Sequence, residues 1–214
     1  IRLVPSDADE AMTQSRKGKN AFVTGSLNDP VMLKKILARC RREGVSLHSL
    51  LAAAFSVGSS WTRQYPDDKF TICVTSAVSF RQQFADMYPS ERESILRTMS
   101  NMHGASFDIL EIENNKAKEL DYDLLWKTAR DHYQSLRQGI QSKRPIAILS
   151  DRHFPGHVPV TFYLSNVGRL DVISGNYGPF TIQSAPVVIS SLESRSPFIT
   201  VNTIRDRLQF GVSF

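Results

Sequence analysis

The last third of the sequence constrains the fold most, because it holds four segments with the composition of β-strands. They are rich in Val, Ile, Thr and Phe and lie at 158–165, 180–190, 197–204 and 208–214. The tripeptide RDR joins the last two segments and predicts a tight hairpin between them. A sheet built from such segments needs a covering layer on at least one face.

The first two thirds of the chain supply that layer as helices. Three helices are predicted at 28–44, 45–65 and 121–140, and three further strands at 20–27, 69–81 and 105–113. The first helix begins with Asp29-Pro30, an N-cap followed by a residue suited to the first helical position. Ser46 is the predicted cap of the second helix, and Asp121 or Asp123 that of the third. The pattern predicts an α/β fold, a two-layer sandwich in which helices cover a mixed sheet.

Length and composition fit one globular domain. The 214 residues include 41% hydrophobic residues, enough to build a real core. Residues 1–20 are polar and lack periodicity, so they are predicted to be a lead-in or linker remnant before a domain at 21–214. No apolar run approaches the roughly 18–20 residues of a membrane helix, so no membrane span is expected. Cys40 and Cys73 lie in apolar periodic stretches and are predicted to be buried thiols in a reducing, cytoplasmic setting.

The charge pattern does not predict a nucleic-acid partner. The chain carries a formal net charge of +5, but its basic residues are scattered and no nucleic-acid-binding motif is present. A solvated basic face explains the charge, and a mild attraction for anionic ligands such as phosphates stays possible.

The residues alone contain no complete catalytic set. His48 and His132 lie within predicted helices and are expected to face solvent or a polar edge, and His103 is expected in a loop. Asp151, His153 and His157 could be considered as metal ligands. However, Pro155-Gly156 breaks any helix between the two histidines and no fourth ligand is near in sequence, so no metal site is predicted.

Six segments, taken in order, resemble one enzyme family. They are VSLHSLLAAAFSVG, SAVSFR, LLWKTARDHYQSLRQGI, SNVGRLDV, YGPF and VNTIRDRLQFGVSF. Together they resemble the C-terminal half of the chloramphenicol acetyltransferase-like acyltransferases over roughly residues 25–214. The most similar members are the alcohol acetyltransferases, the polyketide-associated acyltransferases and the condensation domains of nonribosomal peptide synthetases.

The resemblance implies half of a two-lobed enzyme. In that family two similar lobes enclose a channel, and the catalytic histidine belongs to a His-His-x-x-x-Asp motif of the N-terminal lobe; this sequence has no His-His pair. The implied donor is an acyl-coenzyme A or a phosphopantetheine thioester, the acceptor an alcohol or amine, and no cofactor is bound. The implied partner is the N-terminal lobe, with self-association through the exposed lobe interface as a further expectation. The alternative is a non-catalytic binding or interaction module with the same fold.

The resemblance also assigns roles to residues of the SNVGRLDV and SAVSFR segments. It implies that Ser165 and Asn166 end a strand at the substrate channel and present polar groups near the reacting carbonyl, while Gly168 permits the following turn. The alternative is that these residues only end a strand and start a turn. Arg81 is implied to form an ion pair with the motif Asp of the other lobe, the alternative being a surface arginine at a strand end.

The YGPF segment occupies the place of an Asp-Phe-Gly-Trp-Gly motif in plant-type members of the family. Only Tyr177 and Gly178 resemble that motif. Because the motif shapes the fold away from the catalytic base, Tyr177, Gly178 and Pro179 are expected to be architectural.

Overall fold

A mixed sheet covered by helices on one face forms the framework of the computed structural model. The structure describes residues 21–62, 69–79, 103–113, 120–141, 161–170, 176–189 and 196–213. The strands are β1 (Phe22–Leu27), β2 (Lys69–Ser79), β3 (His103–Glu113), β4 (Phe162–Arg169), β5 (Asn176–Tyr177), β6 (Phe180–Thr181), β7 (Phe198–Ile204) and β8 (Arg207–Ser213). The helices are α1 (Pro30–Arg42), α2 (Leu47–Thr62) and α3 (Tyr122–Gln141). The predicted fold class is therefore confirmed.

The large sheet has six strands in the order β1-β8-β7-β4-β2-β3. β4 runs parallel to both of its neighbours, β2 and β7, whereas the other pairs are antiparallel. β5 and β6 form a separate two-stranded sheet. The strand that carries the SNVG segment thus lies in the interior of the sheet, with a strand on each side.

The helices begin where their capping residues predict. Asp29 accepts hydrogen bonds from the backbone N–H of Val31 (2.8 Å) and Met32 (3.1 Å) at the start of α1. The Ser46 hydroxyl accepts from the backbone N–H of Ser49 (3.0 Å) at the start of α2. At α3 the two open alternatives are resolved in favour of Asp121, whose carboxylate accepts from the backbone N–H groups of residues 123 and 124.

The core lies between the sheet and the helices in two clusters. The larger one joins α1 and α2 to the sheet through Leu33, Ala52, Ile72, Val74, Phe162, Leu164, Ile199, Val201, Leu208 and Phe210. The smaller one joins the three helices through Cys40, Val45, Ala53, Leu125 and Ala129. Both cysteines are buried and free, as predicted. None of the helices within the described ranges is both long and apolar enough to cross a lipid bilayer.

The predicted strands of the last third are partly displaced. β4 covers Phe162–Arg169 and continues past residue 165, the predicted end of its strand, so Ser165 and Asn166 lie inside the strand and do not end it. Of the predicted strand at 180–190, only β6 is a strand, and residues 182–189 continue without strand pairing. The hairpin between β7 and β8 is confirmed, with a two-residue turn at Arg205 and Asp206 whose φ values are 48° and 57°.

His103 begins strand β3, where a loop was expected. It pairs in register with Ser79, the last residue of β2. The predictions for the lead-in at 1–20, for Arg81, for the cluster at 151–157 and for the side chain of Tyr177 concern parts of the chain that the structure does not describe.

Candidate functional site

The SNVG segment forms a β-bulge in the middle of the sheet. Asn166 pairs with Val201 of β7 and Gly168 pairs with Asn202, so Val167 is an extra residue without an opposite partner in β7. Gly168 adopts a φ of +83°, which favours glycine. The Asn166 side-chain oxygen accepts a hydrogen bond from the Gly168 backbone N–H (3.0 Å) and stabilises this conformation. The predicted special backbone at Gly168 is therefore present, but in a bulge rather than in a turn.

Ser165 and Asn166 lie on opposite faces of the sheet. Leu164 is part of the core beneath the helices, and successive residues of a strand alternate between faces. Ser165 therefore faces away from the helices, beside its register partner Thr200, while Asn166 is on the helix side. Both side chains are half-buried. Because the two side chains lie on opposite faces, a channel along one face of the sheet would contact only one of them. The substrate-channel role of these residues stays a prediction.

A strap of extended chain, residues 183–189, crosses β7 and β8 on the face away from the helices. Four buried polar side chains of those two strands hold it: Thr200, Asn202, Gln209 and Ser213. Asn202 bonds both the Ala185 carbonyl oxygen (3.1 Å) and the Val187 N–H (3.2 Å). Side chains of the sheet thus replace the backbone partners that a regular strand would have, which explains why residues 182–189 of the predicted strand do not form one.

Gly211 lets the strap approach the sheet closely. A Cβ atom at this position would collide with the Val187 carbonyl oxygen and would lie 2.8 Å from the Val188 side chain. The neighbouring Thr200 hydroxyl donates to the same Val187 oxygen. The glycine is therefore needed for space rather than for an unusual φ.

Gly178 and Pro179 form the turn between β5 and β6. Tyr177 pairs with Phe180 across this turn, and Gly178 adopts a φ of +60°. Both turn residues are exposed. The architectural role assigned to Tyr177, Gly178 and Pro179 stays a prediction.

A cluster of His48, Ser76 and His132 lies between α2, β2 and α3, with Ser76 and His132 buried and His48 half-buried. The His48 Nε2 atom is 2.9 Å from the Ser76 hydroxyl oxygen, and the His132 Nε2 atom is 3.4 Å from the same oxygen. The two imidazole ring centroids are 5.7 Å apart. His132 and Ser76 have no solvent exposure. The expectation that both histidines face solvent or a polar edge is therefore wrong for His132, and His48 points into the same interior.

The environment keeps both imidazoles neutral at pH 7. Burial lowers the pKa of His132 from 6.5 to about 4. Burial, and secondly the proximity of His132, lowers the pKa of His48 to about 4. Because Ser76 has a single hydroxyl proton, it donates to one Nε2 atom and accepts from the Nε2–H of the other imidazole. The cluster links α2, β2 and α3 in the core.

The spacing along the helices contained a signal for this cluster. His132 lies on the same stripe of α3 as Leu125 and Ala129, which are buried. His48 lies one turn before Ala52, which has no exposure. A histidine on an apolar stripe is expected to face the core. Its hydrogen-bond partner, Ser76, comes from a strand that is distant in sequence.

Comparison with known proteins identifies the fold. No family model and no curated protein matches the sequence. Among solved structures, a trichothecene 15-O-acetyltransferase from Fusarium sporotrichioides matches with a TM-score of 0.64 and 13% identity over 96% of this chain and 47% of that protein. Polyketide synthase associated protein 5 from Mycobacterium tuberculosis matches with a TM-score of 0.58 and 15% identity over 91% of this chain and 46% of that protein.

A third match is a wax ester synthase/diacylglycerol acyltransferase from Marinobacter aquaeolei, with a TM-score of 0.54 and 13% identity over 100% of this chain and 51% of that protein. The structural neighbours are chloramphenicol acetyltransferase-like acyltransferases and condensation domains. At these identities the comparison shows that the chain has this fold. The chain spans about half the length of the solved proteins that it matches.

Proposed function

We propose that this chain is the C-terminal half of an acyltransferase that moves an acyl group from a thioester to an alcohol or amine. The observation that supports this most directly is the match of nearly the whole chain to about half of a trichothecene acetyltransferase and about half of a wax ester synthase/diacylglycerol acyltransferase. The thioester donor is an acyl-coenzyme A or an acyl carrier protein. The sequence contains no His-His-x-x-x-Asp motif, so in this proposal the general base belongs to the other half.

In the proposed enzyme this chain supplies one wall of the site. The base on the other half removes the proton from the acceptor hydroxyl or amine, which then attacks the thioester carbonyl. Negative charge develops on the carbonyl oxygen, and a positioned hydroxyl donor stabilises it. The intermediate then collapses, the C–S bond breaks, and the leaving thiolate takes the proton from the protonated base. Ser165 is the proposed donor, because its side chain lies on the sheet face away from the helices and is half-buried, so it stays within reach of a ligand.

Arg81 and Asn166 have supporting roles in this proposal. Arg81 would pair with a carboxylate of the other half, for which the planar guanidinium is well suited. Asn166 holds the bulge through its hydrogen bond to Gly168. It therefore positions the strand and does not contact the reacting atoms.

The test is a thioester-release assay on the purified 214-residue chain, alone and co-expressed with whatever segment its gene encodes upstream of Ile1. The assay follows free coenzyme A thiol with acyl-coenzyme A donors and a panel of alcohols and amines. We expect no turnover by the chain alone, and turnover when an upstream segment with His-His-x-x-x-Asp is present. Turnover by the chain alone would refute the proposal, as would an upstream segment that lacks the motif.

Two neighbouring substitutions separate the roles within an active assembly. Ser165→Ala is expected to lower kcat by about 100-fold, the usual effect of losing one oxyanion donor. Asn166→Ala is the matched control, because it lies on the opposite face and is expected to lower thermal stability with kcat nearly unchanged. Equal effects of both substitutions on kcat would contradict the role of Ser165.

A further inference from the structure

Thr75 of β2 carries a buried hydroxyl that is not satisfied within the described part of the chain. The residue is only 5% exposed. Its Oγ1 atom is buried and has no hydrogen-bond partner among the described residues. A buried hydroxyl of this kind has lost its bonds to water and has gained none in return. Valine has nearly the same shape and would avoid this penalty, so the hydroxyl needs an explanation.

Thr75 lies on the same face of the sheet as Ser165. Val74 belongs to the core beneath the helices, and Ser76 contacts the two histidines of the helices. Because side chains alternate along a strand, Thr75 faces away from the helices. β2 and β4 are parallel neighbours, and Thr75 is opposite Tyr163, two residues before Ser165. The Cα atoms of Thr75 and Ser165 are therefore about 8 Å apart, given the usual strand spacing and rise per residue.

The residues beside Thr75 on this face favour a neutral ligand group. Tyr163, its register partner in β4, stacks on Phe198 of β7 with ring centroids 5.6 Å apart. Cys73, two residues before Thr75 and on the same face, is buried. None of these three residues is an Asp, Glu, Lys or Arg. An ion placed among them would lose its hydration without a countercharge from them, whereas a neutral hydrogen-bonding group would not.

We propose that the Thr75 hydroxyl binds the amide nearest the sulfur of a phosphopantetheine arm, the group that coenzyme A and carrier-protein donors share. This inference rests on the proposed function, in which Ser165 stabilises the thioester carbonyl oxygen. One sulfur atom and two methylene groups separate that carbonyl from the amide. An arm that lies across β2 and β4 therefore presents the carbonyl to Ser165 and the amide to Thr75 at the same time. The amide is neutral and can both donate and accept.

The proposal explains why this hydroxyl is kept although it destabilises the free chain. The bound donor supplies its missing hydrogen bond, so the penalty is present only without donor. Because the hydroxyl is covered in the free chain, donor binding includes a movement of the side chains above it. Thr75 is in this proposal a donor-binding residue that takes no part in making or breaking bonds. A thioester without the amide gains nothing from Thr75, and the enzyme should discriminate against it.

Two short donors test the contact by the thiol-release assay, in the chain co-expressed with its upstream segment. S-acetyl-N-acetylcysteamine carries the amide at the natural distance from the sulfur, whereas S-ethyl thioacetate lacks it. The parent assembly should have the higher kcat/KM with the amide donor. Thr75→Val should lower kcat/KM for the amide donor about tenfold, the effect of one lost hydrogen bond, and leave the value for S-ethyl thioacetate unchanged. Thr75→Ser keeps the hydroxyl and should retain the preference.

Two natural donors distinguish the source of the arm. Acetyl-coenzyme A and an acetylated carrier protein are assayed with the parent assembly and with Thr75→Val. Each donor that turns over should show the same loss in the variant, because both present the same amide. The donor with the higher kcat/KM in the parent assembly is the source of the arm.

Ser56→Ala is the matched control. The Ser56 hydroxyl in α2 is also buried and also lacks a partner among the described residues, but it belongs to a helix and not to this face of the sheet. In the 214-residue chain without donor, Thr75→Val and Ser56→Ala should both raise the urea concentration at half-unfolding, since each removes an unsatisfied hydroxyl. Only Thr75→Val should change the donor preference.

Three results would overturn this inference and leave the proposed function standing. They are a parent assembly that turns over both short donors equally well, a Thr75→Val variant that keeps the preference for the amide, and a lower urea midpoint for Thr75→Val. The last result would show that the hydroxyl already has a partner in the free chain. Absence of turnover with every donor would instead refute the proposed function, and this inference with it.

Discussion

Acid should destabilise this protein through two histidines with lowered pKa values, His132, which is buried, and His48, which is half-buried. The pKa values of His48 and His132 are about 4 in the folded chain and 6.5 in their ordinary state. Between these values the unfolded chain binds more protons than the folded chain, so stability is fully present above pH 6.5 and is lost as the pH falls toward 4.

The size of the loss follows from the two shifts. At pH 5 each imidazole costs about 2 kcal/mol, so the pair costs about 4 kcal/mol. Between pH 6 and 5 the free energy of unfolding falls by about 1.2 kcal/mol per pH unit for each imidazole. Because a typical domain is stable by about 5–15 kcal/mol, this loss is a large fraction of the total.

Urea denaturation at a series of pH values from 8 to 4.5 measures this slope. His48→Gln and His132→Gln keep a polar side chain and remove a titrating group, so each should reduce the slope between pH 6 and 5 by about half. The double variant should lose nearly all of it. Lys34→Gln, on the exposed face of α1, changes the net charge without touching the buried pair and serves as the control.

The variants are compared by the change of their unfolding free energy with pH and not by their stability at pH 7. Either histidine variant also loses a hydrogen bond to Ser76, which lowers stability at every pH. If both single variants retain the slope of the parent chain, the imidazoles titrate as exposed groups do. The buried cluster would then be absent in solution.

Further predictions follow from single positions. Gly211→Ala should lower the free energy of unfolding by about 1–3 kcal/mol, because the new Cβ atom would collide with Val187. Gly58→Ala in α2, where a Cβ meets nothing within 4 Å, should raise the free energy of unfolding by up to about 1 kcal/mol. Thermal denaturation measures both effects, and equal effects would contradict the close approach of the strap. Asp121→Ala should cost about 1 kcal/mol through loss of the α3 cap while Asp123→Ala costs less, and the reverse order in the same assay would show that the cap is misassigned.

The helices could be predicted well because their signals are local. Asp29 followed by Pro30 marks the start of α1 in the sequence, and the cap is formed as expected. The turn at Arg205 and Asp206 could be predicted equally well, because a very short polar connection separates two strand-like segments. For each of these features, the residues that decide the structure lie within a few positions of one another.

The strap, the bulge and the buried histidines depend on contacts between distant segments. Residues 183–189 have the composition of a strand, but their hydrogen-bond partners are side chains 13 to 25 positions away, such as Thr200 and Gln209. The continuation of β4 past Ser165 depends on its pairing with β7. His48 and His132 need Ser76 to be tolerated in the core. No local pattern identifies these distant partners.

Only part of the candidate site could be predicted from the sequence. Ser165, Asn166 and Gly168 were singled out on a resemblance, and the structure places them in one segment of an interior strand. Ser165 and Asn166 lie on opposite faces because the strand continues through both residues and its side chains alternate between faces. A strand that ended at these residues, as predicted, would not impose this alternation. A role at the channel can be given to Ser165 without giving the same role to Asn166.

The strap is held through hydrogen bonds to its main chain, and this determines how freely its sequence can vary. Thr200, Asn202 and Ser213 bind main-chain atoms of Ala185, Val187 and Ile189, and every amino acid other than proline offers the same atoms. Saturation mutagenesis should therefore find wide tolerance at exposed strap positions such as Val188, and almost none at the buried residues beneath them. Among homologues, the strap can drift in sequence and keep its path, so an alignment would mark as variable a stretch whose course is conserved.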